Sequence, residues 1–347
     1  MAMTRKERVR AALRHEAVDK VPKGELDVAK PLAEALGFTS DDEFEWQRGV
    51  RERLKMDLFD ACSDWPPDEP LGVDEQGRKR FRTWYGTEVL RTEYTLEVVR
   101  PALVTDADYE AFVTPTVEMM DTSRLELWRD ETDFFVVGQT GGVFDTLMWL
   151  FGFEQHMELA LTDPGRIKPI ADAVARFHME LGRRYMAMGL DLVLVADDIA
   201  YNTGPFLSPR LCDELVFPYH ERIVRGIKEA YPGALVMLHS DGNLNAVMDR
   251  IVACGYDAIQ SIQPSAGMDI AEIKRRYGRR LCLMGNLDLA LVLARGTPDE
   301  VRAATRALLE TAAPGSGFIL STCNALTRDI PAANALAMYE EAEAFRL

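Results

Sequence analysis

Three apolar runs in the second half of the chain end on residues that can do chemistry. Val236-Met237-Leu238 runs into His239-Ser240-Asp241-Gly242, Leu281-Cys282-Leu283-Met284 into Gly285-Asn286-Leu287-Asp288, and Phe318-Ile319-Leu320 into Ser321-Thr322-Cys323-Asn324. Each is followed by a turn and an amphipathic helical stretch. Earlier in the chain, Leu192-Val193-Leu194-Val195-Ala196 ends in Asp197-Asp198, and Phe134-Phe135-Val136-Val137-Gly138 ends in Gln139. Functional residues placed just past strand C-termini belong to α/β proteins with parallel strands, whose loops build one shared face.

On such a face Glu25, Asp27, Gln139, Asp197, Asp198, His239, Asp241, Gln260, Gln263, Asn286, Asp288, Cys323 and Asn324 would converge. Imidazole, carboxylate and thiolate donors suit zinc better than magnesium. Each also has an ordinary interpretation: His239 as a hydrogen-bonded loop histidine, Cys323 as a small buried hydrophobe, Glu25 as a loop carboxylate. Glu25 and Asp198 are the candidate catalytic carboxylates. Asp197 and Asp198 are neighbours and face opposite ways along a strand, so at most one enters the site. Tyr201 and Asn202 are candidate substrate contacts, and Gln139, Asn286 and Asn324 offer hydrogen bonds without titrating. His15, His156, His178 and His220 lie in helical stretches and read as structural or exposed.

The elements that must position these residues are legible. Thr4 with Glu7 forms a capping box opening a first helix to about Arg14. Asp163-Pro164 opens a long helix to about Met188, Ser208-Pro209 another that Pro218 should kink or divide, and Thr297-Pro298-Asp299-Glu300 a capped helix with first-turn proline. Asp329-Ile330-Pro331 introduces the last. Residues 65–104, with Pro66-Pro67, Gly72, Gly77 and Gly86 between alternating stretches, predict a β-hairpin insertion. Strands near residues 23, 58, 135, 194, 236, 259, 283 and 319 make about eight, which favours a distorted (β/α)8 TIM barrel over residues 1–347 as a single domain.

Composition narrows the function classes. A formal charge of −16 with no Lys/Arg stripe argues against nucleic-acid binding. No apolar stretch reaches the roughly 18 residues that span a bilayer, and five scattered cysteines without a CxxC pair suggest a reducing cytoplasm. No GxGxxG, GxxxxGK[ST] or GxSxG follows any of these strands.

Several ordered segments together resemble the uroporphyrinogen decarboxylase superfamily. They are Thr4-Arg5-Lys6-Glu7-Arg8-Val9 through Val21-Pro22, Asp197-Asp198 followed by Ser208-Pro209 and Pro218-Tyr219, His239-Ser240-Asp241-Gly242, Gly285-Asn286-Leu287-Asp288, and Pro331 to Asn334. The resemblance spans nearly the whole chain and implies a distorted TIM barrel with its cleft at the C-terminal face. Decarboxylases of that superfamily carry an Arg-Gln-Ala-Gly-Arg segment that grips substrate carboxylates; here the corresponding loop is Lys23-Gly24-Glu25-Leu26-Asp27. Glu25 in place of a cation would repel a polycarboxylate.

The other branch holds cobalamin-dependent methyltransferases, including methylcobamide:thiol enzymes that bind zinc through His-x-Cys and a later Cys. By position the resemblance assigns His239 and Cys323 to that metal, with Asp241 in the place of the middle cysteine. Aspartate keeps thiolate's charge but is harder, which favours an oxygen-bound methyl donor. The expectation is a zinc-dependent methyltransferase acting between a small O-methyl compound and a corrinoid. No Asp-x-His-x-x-Gly signature is present, so the corrinoid would arrive on a separate corrinoid protein. The alternatives are thiol methylation, a metal-free carboxy-lyase with His239 and Asp241 as an acid/base pair, and a binding barrel without turnover.

Overall fold

The computed structural model describes residues 2–91 and 96–347; residues 92–95 of the expected insertion lie outside them. Seven parallel strands form one curled sheet: β1 (Leu58–Cys62), then, beyond an inserted sheet β2 (Glu69–Val73), β3 (Lys79–Arg82), β4 (Glu88–Arg91) and β5 (Leu96–Arg100), β6 (Phe135–Gly141) and β7 (Leu192–Ala196). A short hairpin, β8 (Ala200–Tyr201) and β9 (Gly204–Pro205), precedes β10 (Val236–Ser240), β11 (Ala258–Ser261), β12 (Cys282–Leu287) and β13 (Phe318–Thr322). The order is β1-β6-β7-β10-β11-β12-β13, with neighbours parallel throughout.

The expected strand near residue 23 is an extended segment that closes the barrel with a few backbone bonds. Leu320 N–H donates to Pro22 O (2.9 Å) and Gly24 N–H to Leu320 O (3.0 Å), while on the other side Asp57 N–H donates to Lys23 O (2.7 Å). Lys23 N–H completes the seam on the Asp57 carboxylate at 2.9 Å. Pro22 has no N–H to give, which limits this segment's ladder.

Period-two alternation sorts the barrel strands into two faces. Leu58, Phe135, Val137, Leu192, Leu194, Met237, Ala258, Cys282, Met284 and Ile319 form one buried cluster with Val9, Ala12 and Leu13 of the first helix, Arg5–Leu13. That helix plugs the N-terminal end of the barrel. The alternate residues, among them Phe59, Val136, Val193, Val195, Leu238, Ile259, Leu283 and Leu320, pack outward against the helices. Continuing the inward rows by two residues brings Asp60, Gln139, Ala196, His239, Gln260, Asn286 and Ser321 to the C-terminal end. The barrel interior is therefore apolar below and polar above.

Local signals take the predicted form. Both capping boxes are present, at Thr4/Glu7 and Thr297/Glu300. The helix after Ser208 divides into Pro209–Leu215 and Phe217–Ala230, because Pro218 cannot donate an interior hydrogen bond and starts a new first turn instead. The insertion is a four-stranded antiparallel sheet ordered β2-β3-β4-β5. It is tied to the barrel where Thr87 Oγ1 donates to Trp149 O at 2.9 Å. Among the described residues no helix is long and apolar enough to cross a membrane.

Candidate active site at the C-terminal barrel face

β10 delivers His239 inward and then turns. Gly242 has φ +87° and its Cα sits against the Ala200 backbone, where a Cβ would come within 2.6 Å of the carbonyl. The tight turn brings Asp241 back over the barrel mouth, and its backbone N–H donates to Asp198 Oδ1 at 2.7 Å. His239 Nε2 lies 3.8 Å from Asp198 Oδ1 and 4.0 Å from Asp241 Oδ1. Ligand-capable atoms of Asp198, His239 and Asp241 all lie within 4.8 Å of one another.

The surroundings orient each donor. His239 Nδ1 is hydrogen-bonded to Gln260 Oε1, an oxygen that can only accept, so Nδ1 is the donor there and Nε2 is the ring nitrogen that faces the cluster. Gln260 is itself held by Thr322 O and Asn324 O, at 3.4 and 3.3 Å from its Nε2. Asn324 Nδ2 donates to Asp241 Oδ2 at 2.6 Å, while Asp241 Oδ1 is buried with no hydrogen-bond partner. A buried, unpartnered carboxylate oxygen beside a free imidazole nitrogen fits a cation.

Asp197 and Asp198 do diverge. Asp197 is fully buried and accepts from the backbone N–H groups of Phe144 (3.1 Å) and Asp145 (2.8 Å), capping the helix Val143–Phe151. His220 Nε2 lies 2.8 Å from its Oδ2, and Tyr256 OH 2.8 Å from His220 Nδ1, completing a buried chain. His156 and His178 are also buried, and burial lowers both to about 4.

Asp145 was missed by sequence reasoning because it lies on a helix, past the loop in which strand-end residues were sought. Its Oδ2 accepts from Asp198 N–H at 2.9 Å. Burial, then the charge of Asp197, pushes its carboxyl up to about 8. Asp60 was also missed, although it lies two residues beyond inward Leu58. It is buried, its Oδ1 has no partner, and burial holds its carboxyl well above the usual range. Arg51, fully buried on the helix Glu43–Arg53, is the positive charge that most opposes this rise.

Two expected site residues stand apart from the cluster. Cys323 is buried and is not in the Asp198–His239–Asp241 group, and burial pushes the thiol up to about 11. Glu25 faces the barrel wall, not the cleft. It accepts from Thr322 N–H (2.8 Å), Thr322 Oγ1 (2.7 Å) and Tyr339 OH (2.6 Å), and burial raises it to about 7. Glu25 thus cannot repel a substrate; the negative charge of the mouth comes from Asp198 and Asp241. Asn286 Nδ2 donates to Ile262 O at 2.8 Å, Asn202 Oδ1 accepts from Gln263 Nε2 at 3.3 Å, and Tyr201 is half-exposed on Phe206.

Gln139 and Cys62 line two adjoining cavities. One of about 430 Å3 runs over Asp60, Asp27 and Trp46. The other, of about 650 Å3, runs from Asp145, His178 and Ala196 to Trp65, Trp84 and Tyr85. A further cavity of about 650 Å3, lined by His15 and Ser316, lies at the N-terminal barrel end, away from these groups.

Known proteins share this architecture. A solved methyltransferase from Methanosarcina mazei superposes with a TM-score of 0.75 at 18% identity, over 98% of both chains. In sequence, a uroporphyrinogen decarboxylase from Pseudoalteromonas translucida is 27% identical over 188 residues, 53% of this chain and 49% of the relative. The methylcobamide:CoM methyltransferase MtbA of Methanosarcina mazei is 28% identical over 216 residues, 61% of this chain and 58% of that protein. The chain thus spans about half the length of the curated relatives it matches. The uroporphyrinogen decarboxylase (URO-D) family model matches residues 93–345, from the inserted sheet through the last helix. With that match over most of its length, the chain belongs to the uroporphyrinogen decarboxylase (URO-D) family.

Proposed function

We propose that the protein is a metal-dependent methyltransferase. It would move a methyl group from a small O-methyl donor to a corrinoid presented as co-substrate by a separate corrinoid protein docked over the barrel mouth. The observation that carries this is the Asp198–His239–Asp241 cluster, with one imidazole nitrogen aimed inward and one buried carboxylate oxygen unpartnered.

Two carboxylates and a neutral imidazole match the charge of a divalent ion, and three protein donors with an open side match a catalytic zinc site. Zinc bound there would supply Lewis acidity toward the donor's ether oxygen. Asp198, His239 and Asp241 would hold it; Cys323 would be a neighbour and not a required ligand. Gln260 and Asn324 fix the orientation of His239 and Asp241, so the donors are set before metal or substrate arrives. In the transfer, a methyl–cobalt bond forms on Co(I) as the carbon–oxygen bond breaks, and its electron pair leaves with the oxygen.

The relatives named as decarboxylases act on uroporphyrinogen. A polycarboxylate would meet Asp198 and Asp241 at this mouth; of the guanidinium groups on the cavity walls, Arg91 pairs with Asp68 (2.8 Å) and Arg124 with Glu43 (3.0 Å). The charge arrangement therefore favours a donor without several carboxylates. Metal content of the purified protein, measured beside methylation of a Co(I) corrinoid by methoxylated compounds and by methylthiols, tests the proposal. Thiol donors preferred over oxygen donors would reverse the substrate assignment.

A further inference from the structure

The methyltransferase reading leaves unexplained why an antiparallel sheet is inserted between the first two barrel strands. Its β3–β4 turn carries Thr83, Trp84 and Tyr85 into the wall of the 650 Å3 cavity that ends at Asp145. Asp145 in turn accepts the Asp198 N–H at 2.9 Å, so this cavity abuts the metal-binding cluster. Resting on that reading, we infer that the insertion is a recognition element for a planar aromatic ring, and that the methyl donor is an aryl methyl ether with a second oxygen on the ring.

Ring geometry decides between two methylated donor classes. An aromatic cage for a quaternary ammonium needs several ring faces converging on one point. Here Trp65, Trp84 and Tyr85 pack on one another instead, with centroids 5.0, 5.0 and 5.1 Å apart and interplanar angles of 28°, 53° and 35°, so their shared centre holds no gap for a cation head. Phe177 stacks on Trp65 at 5.3 Å and 25°. The face such a ring cluster turns to the cavity suits another flat ring. The cavity is also far roomier than a methylammonium head requires.

The polar atoms beside the stack favour oxygen substituents. The Trp84 indole N–H and the Thr83 hydroxyl are both buried and have no hydrogen-bond partner. An indole N–H can only donate, so its unmet need is for an acceptor, which a phenolic or ether oxygen supplies. The Tyr85 phenol stays protonated, because burial pushes its pKa far above the ordinary value. With the ring seated against Trp84, its methoxy group points along the cavity toward Asp145 and the cluster.

The test is equilibrium binding of 2-methoxyphenol, with tetramethylammonium as the competing probe, to wild type and to Trp84→Ala, Trp84→Phe, Thr83→Val and His239→Ala. Expected is binding of 2-methoxyphenol in preference to tetramethylammonium, weakened at least tenfold by Trp84→Ala and several-fold by Thr83→Val, with Trp84→Phe in between. His239→Ala should lose zinc yet bind 2-methoxyphenol within a few-fold of wild type. Preference for tetramethylammonium, no binding of 2-methoxyphenol, or unchanged affinity in both Trp84→Ala and Thr83→Val would overturn the inference. Failure of the methyltransferase reading would register differently, as absent zinc or absent methyl transfer with ring binding intact.

Discussion

His239 and Gln260 are direct cross-strand partners in the β10–β11 register, and their side chains are hydrogen-bonded to each other. Neighbouring inward positions of a parallel pair thus become the histidine of the proposed metal site and the group that orients its ring. Removing the partner should leave the fold intact, since Gln260 lies above the apolar layer. Gln260→Ala is expected to weaken zinc binding by about 10- to 100-fold, measured by competition with a chromophoric chelator, with a stability cost of about 1–3 kcal/mol because a buried, hydrogen-bonded side chain is lost.

Asp198 and Cys323 separate two versions of the ligand set. The cluster contains Asp198 and not Cys323. Asp198→Asn should lower zinc stoichiometry sharply, whereas Cys323→Ala should keep most of it. The reverse pattern in metal analysis would restore Cys323 as the third ligand and give the site a softer donor set.

Gly142 and Asp197 occupy one tight contact. A Cβ at Gly142 would lie 2.1 Å from Asp197 Cβ and Cγ, and Asp197 is held by two helix N–H groups and His220. Gly142→Ala must displace that buried network. The expected cost is about 1–3 kcal/mol, seen as a lower denaturation midpoint, whereas Gly189→Ala would act only through its backbone, since no atom lies within 4 Å of a Cβ there.

Glu25 links stability to pH. Folded, it keeps its proton to about pH 7; unfolded, it loses it near the ordinary 4.5. Between those values the folded chain holds the extra proton, so this group's contribution falls as pH rises through that window and then levels off. At about 1.4 kcal/mol per pKa unit the span is about 3.5 kcal/mol. Glu25→Gln should remove that slope, so its stability relative to wild type should rise between pH 4.5 and 7. An unchanged difference across that range, by denaturant titration, would show that Glu25 is ionised in the folded protein.

The barrel was legible because its signals are local and repeated: apolar runs of strand length, capping boxes and prolines at helix starts. Each strand centre expected from the sequence is occupied, except that the segment at Lys23 pairs through a few bonds and not as a full strand. His239, Asp241, Asn286 and Asn324 were found by their place after strands. Which of them meet depends on inward parity and loop path. Asp198 reaches His239 because the turn after β10 folds Asp241 back onto it, a tertiary contact that spacing does not encode. Glu25 looked like a cleft residue for the same reason, yet Thr322 and Tyr339, about three hundred residues away, hold it in the barrel wall against the last helix. Asp145 and the aromatic turn of the insertion came from elements whose position on the barrel only the fold reveals.

The most direct measurement is zinc binding by the purified wild-type protein beside His239→Ala and Asp241→Asn. The account predicts about one zinc per wild-type chain, retained through dialysis, and loss in both variants without loss of fold. A wild-type protein that carries no divalent metal and takes up none on titration would contradict it.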